Sequence, residues 1–185
     1  SFDGLLRRAR DLLRDHPRQR EELKRRFSSL LVDEFQATDP LQGELLLYLS
    51  ERSGRAARSW REVETAAGRL FVVGDPKQSI YRFRGADIAA YEGFVARLRE
   101  GGALACDLTA NFRSVPGVVG PVNDVFARVM LAEPGAQPEY KAILAARAEG
   151  EPGPAVHVVA VVEPPEGGDA ALAQRSEAAW VTAWI

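Results

Sequence analysis

Two short apolar runs in this chain end abruptly in polar residues: LLV before DEFQ at 30–36, and LFVV before GDPKQ at 70–78. Short aliphatic runs separated by helical stretches are the pattern of parallel strands joined by crossover helices. In open sheets of that kind, ligands gather beyond the carboxyl ends of the strands. A third run, ALACDLT at 103–109, precedes Asn111 and Arg113. The expected fold class is therefore α/β with a parallel sheet, its strands over 28–33, 69–75 and 103–109. One edge of that sheet would receive Asp33, Glu34 and Gln36, then Asp75, Lys77 and Gln78, then Asn111 and Arg113.

The remaining segments read as connections and flanks. Phe2, Leu5, Leu6, Ala9, Leu12 and Leu13 share one helical face. Pro17 breaks that helix, and a basic helix covers 18–26. Asp39-Pro40 reads as an N-cap with proline at the first helical position, followed by helix through LQGELLLYLSER. Residues 52–68 show no clean period and read as a mobile surface loop with at most one short helical piece. Helices are expected over 86–99 and 116–131. Prolines and glycines make 133–154 a linker or an irregular crossing. AVHVVAVVE at 155–163 reads as a fourth strand. The last fifteen residues read as an amphipathic helix whose Trp180 and Trp184, four apart, belong to a core or a docking face.

Composition excludes several classes. Hydrophobic residues make up 46% of the 185, enough for a core. A single cysteine, Cys106, excludes a disulfide framework and any multi-cysteine metal site. Its apolar neighbours predict a buried thiol. His16 and His157 are far apart and read as structural. No apolar stretch approaches the ~18 residues of a membrane span, and the N-terminus has no signal-peptide core, so the expected location is cytoplasmic with no membrane partner. The net charge of −2 is unevenly spread: residues 1–30 carry nine basic and five acidic side chains, residues 131–185 three and eight. That asymmetry fits a face turned toward a polyanion, and equally two differently charged solvated faces.

Phosphoryl transfer suits the polar set at the strand ends. Asp33 can hold Mg2+, directly or through water. Glu34 can orient or deprotonate an attacking water. Gln36 and Gln78 can sense a terminal phosphate without adding charge, and Arg113 can act as an arginine finger. Each has a plain alternative: Asp33 and Glu34 as a helix cap and its partner, Arg113 as half of a surface ion pair. Tyr81, Phe83 and Arg84 read as a stacking platform for unpaired bases, each stacked base being worth about 1–3 kcal/mol, or as rings packed beneath the sheet.

LLVDEFQATDPLQ at 30–42, LFVVGDPKQSIYRFRGAD at 70–87 and LTANFRS at 108–114 resemble, in order, motifs II, III and IV of superfamily 1 DNA helicases of the UvrD/RecB/AddA type. The wording is closer to the RecB/AddA helicase–nuclease branch than to the UvrD/Rep branch, which more often has tryptophan where Phe83 stands. The resemblance implies a partial RecA-like P-loop NTPase motor domain with a parallel sheet, plus the start of a second RecA-like domain. Residues 1–132 would be the carboxyl half of the first, 133–154 a linker, and 155–185 the start of the second. It implies an ATP-dependent 3′–5′ helicase or translocase acting on single-stranded DNA or DNA ends in repair or recombination. ATP and Mg2+ would be required and, in the helicase–nuclease branch, a partner subunit. Asp33 and Glu34 would be the magnesium and water-activating pair. Gln78 would contact the γ-phosphate, Arg113 a phosphate, and Phe112 the adenine. Tyr81, Phe83 and Arg84 would link the nucleotide site to DNA.

Two departures qualify the resemblance. Ala37 stands where the family usually has aspartate, which predicts a modest loss of activity. No G-x-x-x-x-G-K-[ST] loop occurs; Lys24, Lys77 and Lys141 follow Leu23, Pro76 and Tyr140. Motifs V and VI are missing as well. The expectation is a portion of a larger motor whose 185 residues alone bind ATP weakly and do not hydrolyse it. The rivals are a non-catalytic DNA-binding or assembly module derived from a helicase, and an ATPase switch acting on something other than nucleic acid.

Overall fold

The computed structural model describes residues 2–79, 87–148, 154–158 and 170–184. Its elements are α1 (Phe2–Asp15), α2 (Pro17–Arg25), β1 (Leu30–Val32), α3 (Pro40–Ser50), β2 (Leu70–Val72), α4 (Ile88–Glu100), β3 (Ala110–Asn111), α5 (Pro116–Val129), β4 (Leu144–Ala145) and α6 (Ala170–Trp184). Contacts divide the chain into two compact units, 1–109 with 123–143, and 110–122 with 144–185. Among the described residues no helix is long and apolar enough to cross a membrane.

In the first unit β1 and β2 pair in parallel, Leu30 opposite Leu70 and Val32 opposite Val72. The crossover is α3, as the sequence predicts. Asp39 caps it: its Oδ1 accepts from Leu41 N at 2.7 Å, and Gln42 Oε1 accepts from Asp39 N at 3.2 Å, so orphaned helix-end donors are satisfied from both sides. The core joins Leu13 of α1, Phe35 after β1, Leu47 and Tyr48 of α3, Val63, and Phe94 and Leu98 of α4. Gly43 lets α3 approach α4, because a Cβ there would collide with the Phe94 ring. That ring is buried and held edge-on by Trp60 at 4.6 Å, so it has little room to yield. Gly43→Ala is expected to lower the melting temperature. Overpacking costs about 1–3 kcal/mol, against about 1 kcal/mol gained in helix propensity. A melt showing Gly43→Ala at or above wild type would refute the tight crossing.

Several expectations change. The strand expected over 103–109 is absent; those residues are exposed, Leu104 and Leu108 among them, and the strand that forms is the shorter β3. β3 pairs with β4 in a separate two-stranded parallel sheet, so the single three-stranded edge is replaced by two small sheets. β4 also places a strand inside the stretch read as a linker. Cys106 is exposed rather than buried, because the strand that would have enclosed it does not form. β1 and β2 are half-buried on one face, where Val32, Leu70 and Val72 pack against the core, with Leu31 and Phe71 exposed on the other. Leu5 and Leu12 of α1 are exposed while Leu13 enters the core. Residues 155–158 are not strand, and the rest of the expected fourth strand lies outside the described residues.

The segment read as a mobile loop is anchored by buried charge. Arg20 and Lys24 of α2 are 1% and 0% exposed, and Glu51 after α3 is 1% exposed. Arg20 Nη2 lies 2.5 Å from Glu51 Oε2, and Lys24 Nζ lies 2.8 Å from Glu21 and 3.6 Å from Glu51. These cations also donate to the loop's carbonyls, Arg20 to Ala57 and Lys24 to Arg52, while Glu51 Oε1 accepts from Ala57 N. Two of the nine basic side chains at the leading end therefore point inward and offer a polyanion nothing. A short 3₁₀ turn, Trp60–Glu62, follows, and Val63 is buried.

Candidate functional site

The two strands of the first unit end side by side. Val73 N donates to Val32 O at 2.8 Å, and Phe35 N donates to Val73 O at 2.9 Å, so pairing continues past the last β residues. The chain beyond β1 then turns sharply. Glu34 takes the left-handed conformation, φ 54° and ψ 39°, and leads into a 3₁₀ turn over Phe35–Ala37. A non-glycine residue held there costs on the order of 1–3 kcal/mol. The turn is secured by Asp33 Oδ1, which accepts from Glu34 N at 2.9 Å, and by Phe35, buried against Tyr91 and Phe94. Asp33 and Glu34 are both exposed.

Beyond β2, Asp75 caps a second 3₁₀ turn, Pro76–Gln78. Its Oδ1 accepts from Lys77 N at 3.0 Å and meets Lys77 Nζ at 2.9 Å; its Oδ2 accepts from Gln78 Nε2 at 3.1 Å. Burial alone would raise the Asp75 carboxyl, but hydrogen bonds from Lys77 and Gln78 outweigh it and hold it below the ordinary carboxylate range. Tyr91, on α4, has its phenol pushed up by burial and then by the charge of Asp75.

Gln36 joins the two turns. Its side chain is 3% exposed, with Nε2 donating to Glu34 Oε2 at 2.5 Å and Oε1 accepting from Asp75 N at 3.0 Å. Ser79 Oγ donates to Gln36 O at 3.3 Å. Gln36, expected at the nucleotide, has each end of its carboxamide hydrogen-bonded within the protein. Gly74 makes room for it, since a Cβ there would lie 2.9 Å from Gln36 Oε1. Asp75 is legible in the sequence as a polar group after a strand, but its position between Gln36 and Gln78 is not. The arrangement thus brings Asp33, Glu34, Gln36 and Gln78 to one edge of the first unit.

Asn111, Phe112 and Arg113 belong to the second unit. Asn111 Oδ1 accepts from Arg113 N at 3.0 Å and Ser114 N at 2.8 Å, forming a side-chain-closed turn ahead of α5. Arg113 O accepts from Arg147 Nη1 at 3.2 Å, and the side chains of Phe112 and Arg113 are exposed. Tyr81, Phe83 and Arg84 lie outside the described residues.

Residues 1–98 match the family model of the UvrD/REP helicase N-terminal domain. An ATP-dependent helicase/nuclease subunit of Streptococcus pneumoniae is 36% identical over 129 residues, covering 68% of this chain and 9% of that protein. Its counterpart of the same name in Pelotomaculum thermopropionicum is 40% identical over 113 residues, covering 59% and 8%. The RecBCD enzyme subunit RecB of Escherichia coli is 36% identical over 130 residues, covering 69% and 10%. The chain spans about a tenth of the length of these relatives.

Proposed function

Because the chain belongs to the UvrD/REP helicase family, we propose that it supplies part of the nucleotide edge of an ATP-dependent motor that moves 3′ to 5′ on single-stranded DNA. The observation that carries this reading is the joined pair of strand ends: Asp33 and Glu34 after β1, Asp75 and Gln78 after β2, tied through Gln36. Glu34 orients or deprotonates the attacking water, and Gln78 meets the terminal phosphate. Arg113 and Phe112 serve a phosphate and the adenine, and Tyr81, Phe83 and Arg84 grip DNA.

Asp33 suits Mg2+. The ion favours one or two carboxylates, several waters and substrate phosphates over an all-protein cage, and Asp33 offers one exposed carboxylate at the end of β1. Once bound there, the ion supplies neutralisation of charge on the phosphates. The same proposal includes the RecA-like assignment of 1–132, 133–154 and 155–185. It also includes work in repair or recombination in the cytoplasm, and a partner subunit, which accords with the relatives being named as subunits.

The full reading frame that encodes this chain is expected to bind single-stranded DNA with an affinity that falls steeply as salt rises, by about 0.7 log units per log unit of salt for each phosphate contacted. Adding that DNA should speed ATP hydrolysis. DNA binding with no stimulated hydrolysis moves the reading to a non-catalytic binding module, and the absence of both effects sinks it.

A further inference from the structure

Gln36 is buried among neighbours that face solvent, Asp33, Glu34 and Gln78. A buried carboxamide needs partners for its polar ends, and any nearby carbonyl or amide would satisfy that need. The partners found here are more pointed. One end holds the carboxylate of Glu34, whose backbone is itself held left-handed. The other holds the amide of Asp75, whose own carboxylate holds Gln78. Two residues, Gln36 through its carboxamide and Asp75 through its backbone amide and carboxylate, therefore connect the proposed water-activating group to the proposed phosphate-contacting group. The backbone carbonyl of Gln36 is also gripped, by Ser79 at the far end of the second turn.

The residue type is constrained by these contacts. The position needs a donor toward Glu34 and an acceptor toward Asp75 N, which one neutral carboxamide provides. Glutamate would place a second carboxylate against Glu34. Leucine would fill the volume and lose both bonds. Asparagine falls one methylene short. Gly74 completes the arrangement, because any side chain there would press on Gln36 Oε1 at 2.9 Å and on Gln36 N at 3.2 Å.

We propose that Gln36 is a positioning residue rather than a nucleotide ligand: its carboxamide sets the spacing between the Glu34 carboxylate and the Asp75–Gln78 turn, so that the two strand ends act on the nucleotide as one body. This rests on the helicase reading above. It assigns Gln36 no contact with ATP. It also gives Gly74 a purpose, that of leaving the carboxamide undisturbed.

Two measurements test it. In the full reading frame, Gln36→Leu is expected to lower kcat for DNA-stimulated hydrolysis about 10- to 100-fold, the range for residues that orient a reacting group from behind. KM for ATP should stay within about twofold. Gly74→Ala should reproduce the effect, and the double variant should be no worse than the stronger single one, as for residues acting through one contact. A raised KM with unchanged kcat makes Gln36 a nucleotide contact and overturns the proposal, as does wild-type behaviour of both variants. In the 185-residue chain, hydrogen exchange at the Asp75 amide should become about tenfold faster in Gln36→Leu, while the Val73 amide of the strand pair keeps its protection. Unchanged exchange at Asp75 overturns the strut whatever the kinetics. A wild type without DNA-stimulated hydrolysis is a different failure: the helicase reading falls, and the catalytic role of Gln36 with it.

Discussion

Glu51→Ala is expected to cost about 3–5 kcal/mol of folding stability, the range for removing one partner of a buried ion pair. Arg20 and Lys24 would remain, both essentially inaccessible to water, with their shared acidic partner gone. Burial already pulls the Arg20 guanidinium below its usual range, and Glu51 is the leading charge opposing that pull. The loop amide of Ala57 would lose its acceptor as well. By contrast, the Arg10–Glu44 pair that ties α1 to α3 keeps about a fifth of each side chain exposed, and removing one partner should cost less, on the order of 1 kcal/mol. Replacing Arg20, Lys24 and Glu51 together by apolar residues of similar volume should recover part of the loss, because no buried cation is then stranded, while Glu21 still loses Lys24 and the Ala57 amide its acceptor. Urea unfolding at constant m-value reads these differences as midpoint shifts. A loss below about 1 kcal/mol for Glu51→Ala would mean that water reaches the cluster.

Glu34→Gln in the full reading frame is expected to lower DNA-stimulated ATP hydrolysis by about 10²- to 10⁴-fold, the usual contribution of a positioned general base, while ATP still binds. The substitution is close to isosteric. Its remaining side-chain oxygen can accept from Gln36 Nε2 as the carboxylate does, so the turn keeps its geometry and only the basicity is lost. Direct nucleotide binding, measured beside hydrolysis, separates the two effects. Wild-type turnover in the variant would remove Glu34 from the water-activating role. Loss of ATP binding would mean that the carboxylate acts on the nucleotide's position instead.

What the sequence discloses and what it conceals follow from the range of the interactions. The α3 cap is readable because Asp39, Pro40 and Gln42 act within one turn of each other. β1 and β2 are readable because each is an apolar run ended by residues that cannot continue it, and their parallel pairing follows from the helix between them. Arg20 and Lys24 read as part of a solvated basic face because their partner, Glu51, lies 31 and 27 positions away, and no local pattern announces a buried charge. The run at 103–109 has strand composition, yet strand formation needs a neighbour to pair with, and composition says nothing about whether one is in reach. Gln36 stands out by its type but not by its direction. A glutamine beside two carboxylates suggests a ligand contact, whereas its burial shows only once Gly74 and Asp75 are brought alongside.

Glu34 occupies a backbone conformation in which glycine would be at ease and glutamate is not. On the proposed reading, the same residue performs the chemistry. Selection for thermal robustness and selection for turnover therefore pull this position in opposite directions. A library screened only for heat tolerance would reward the substitution that relaxes the turn, and the sturdiest clones it returned would be the ones least able to work.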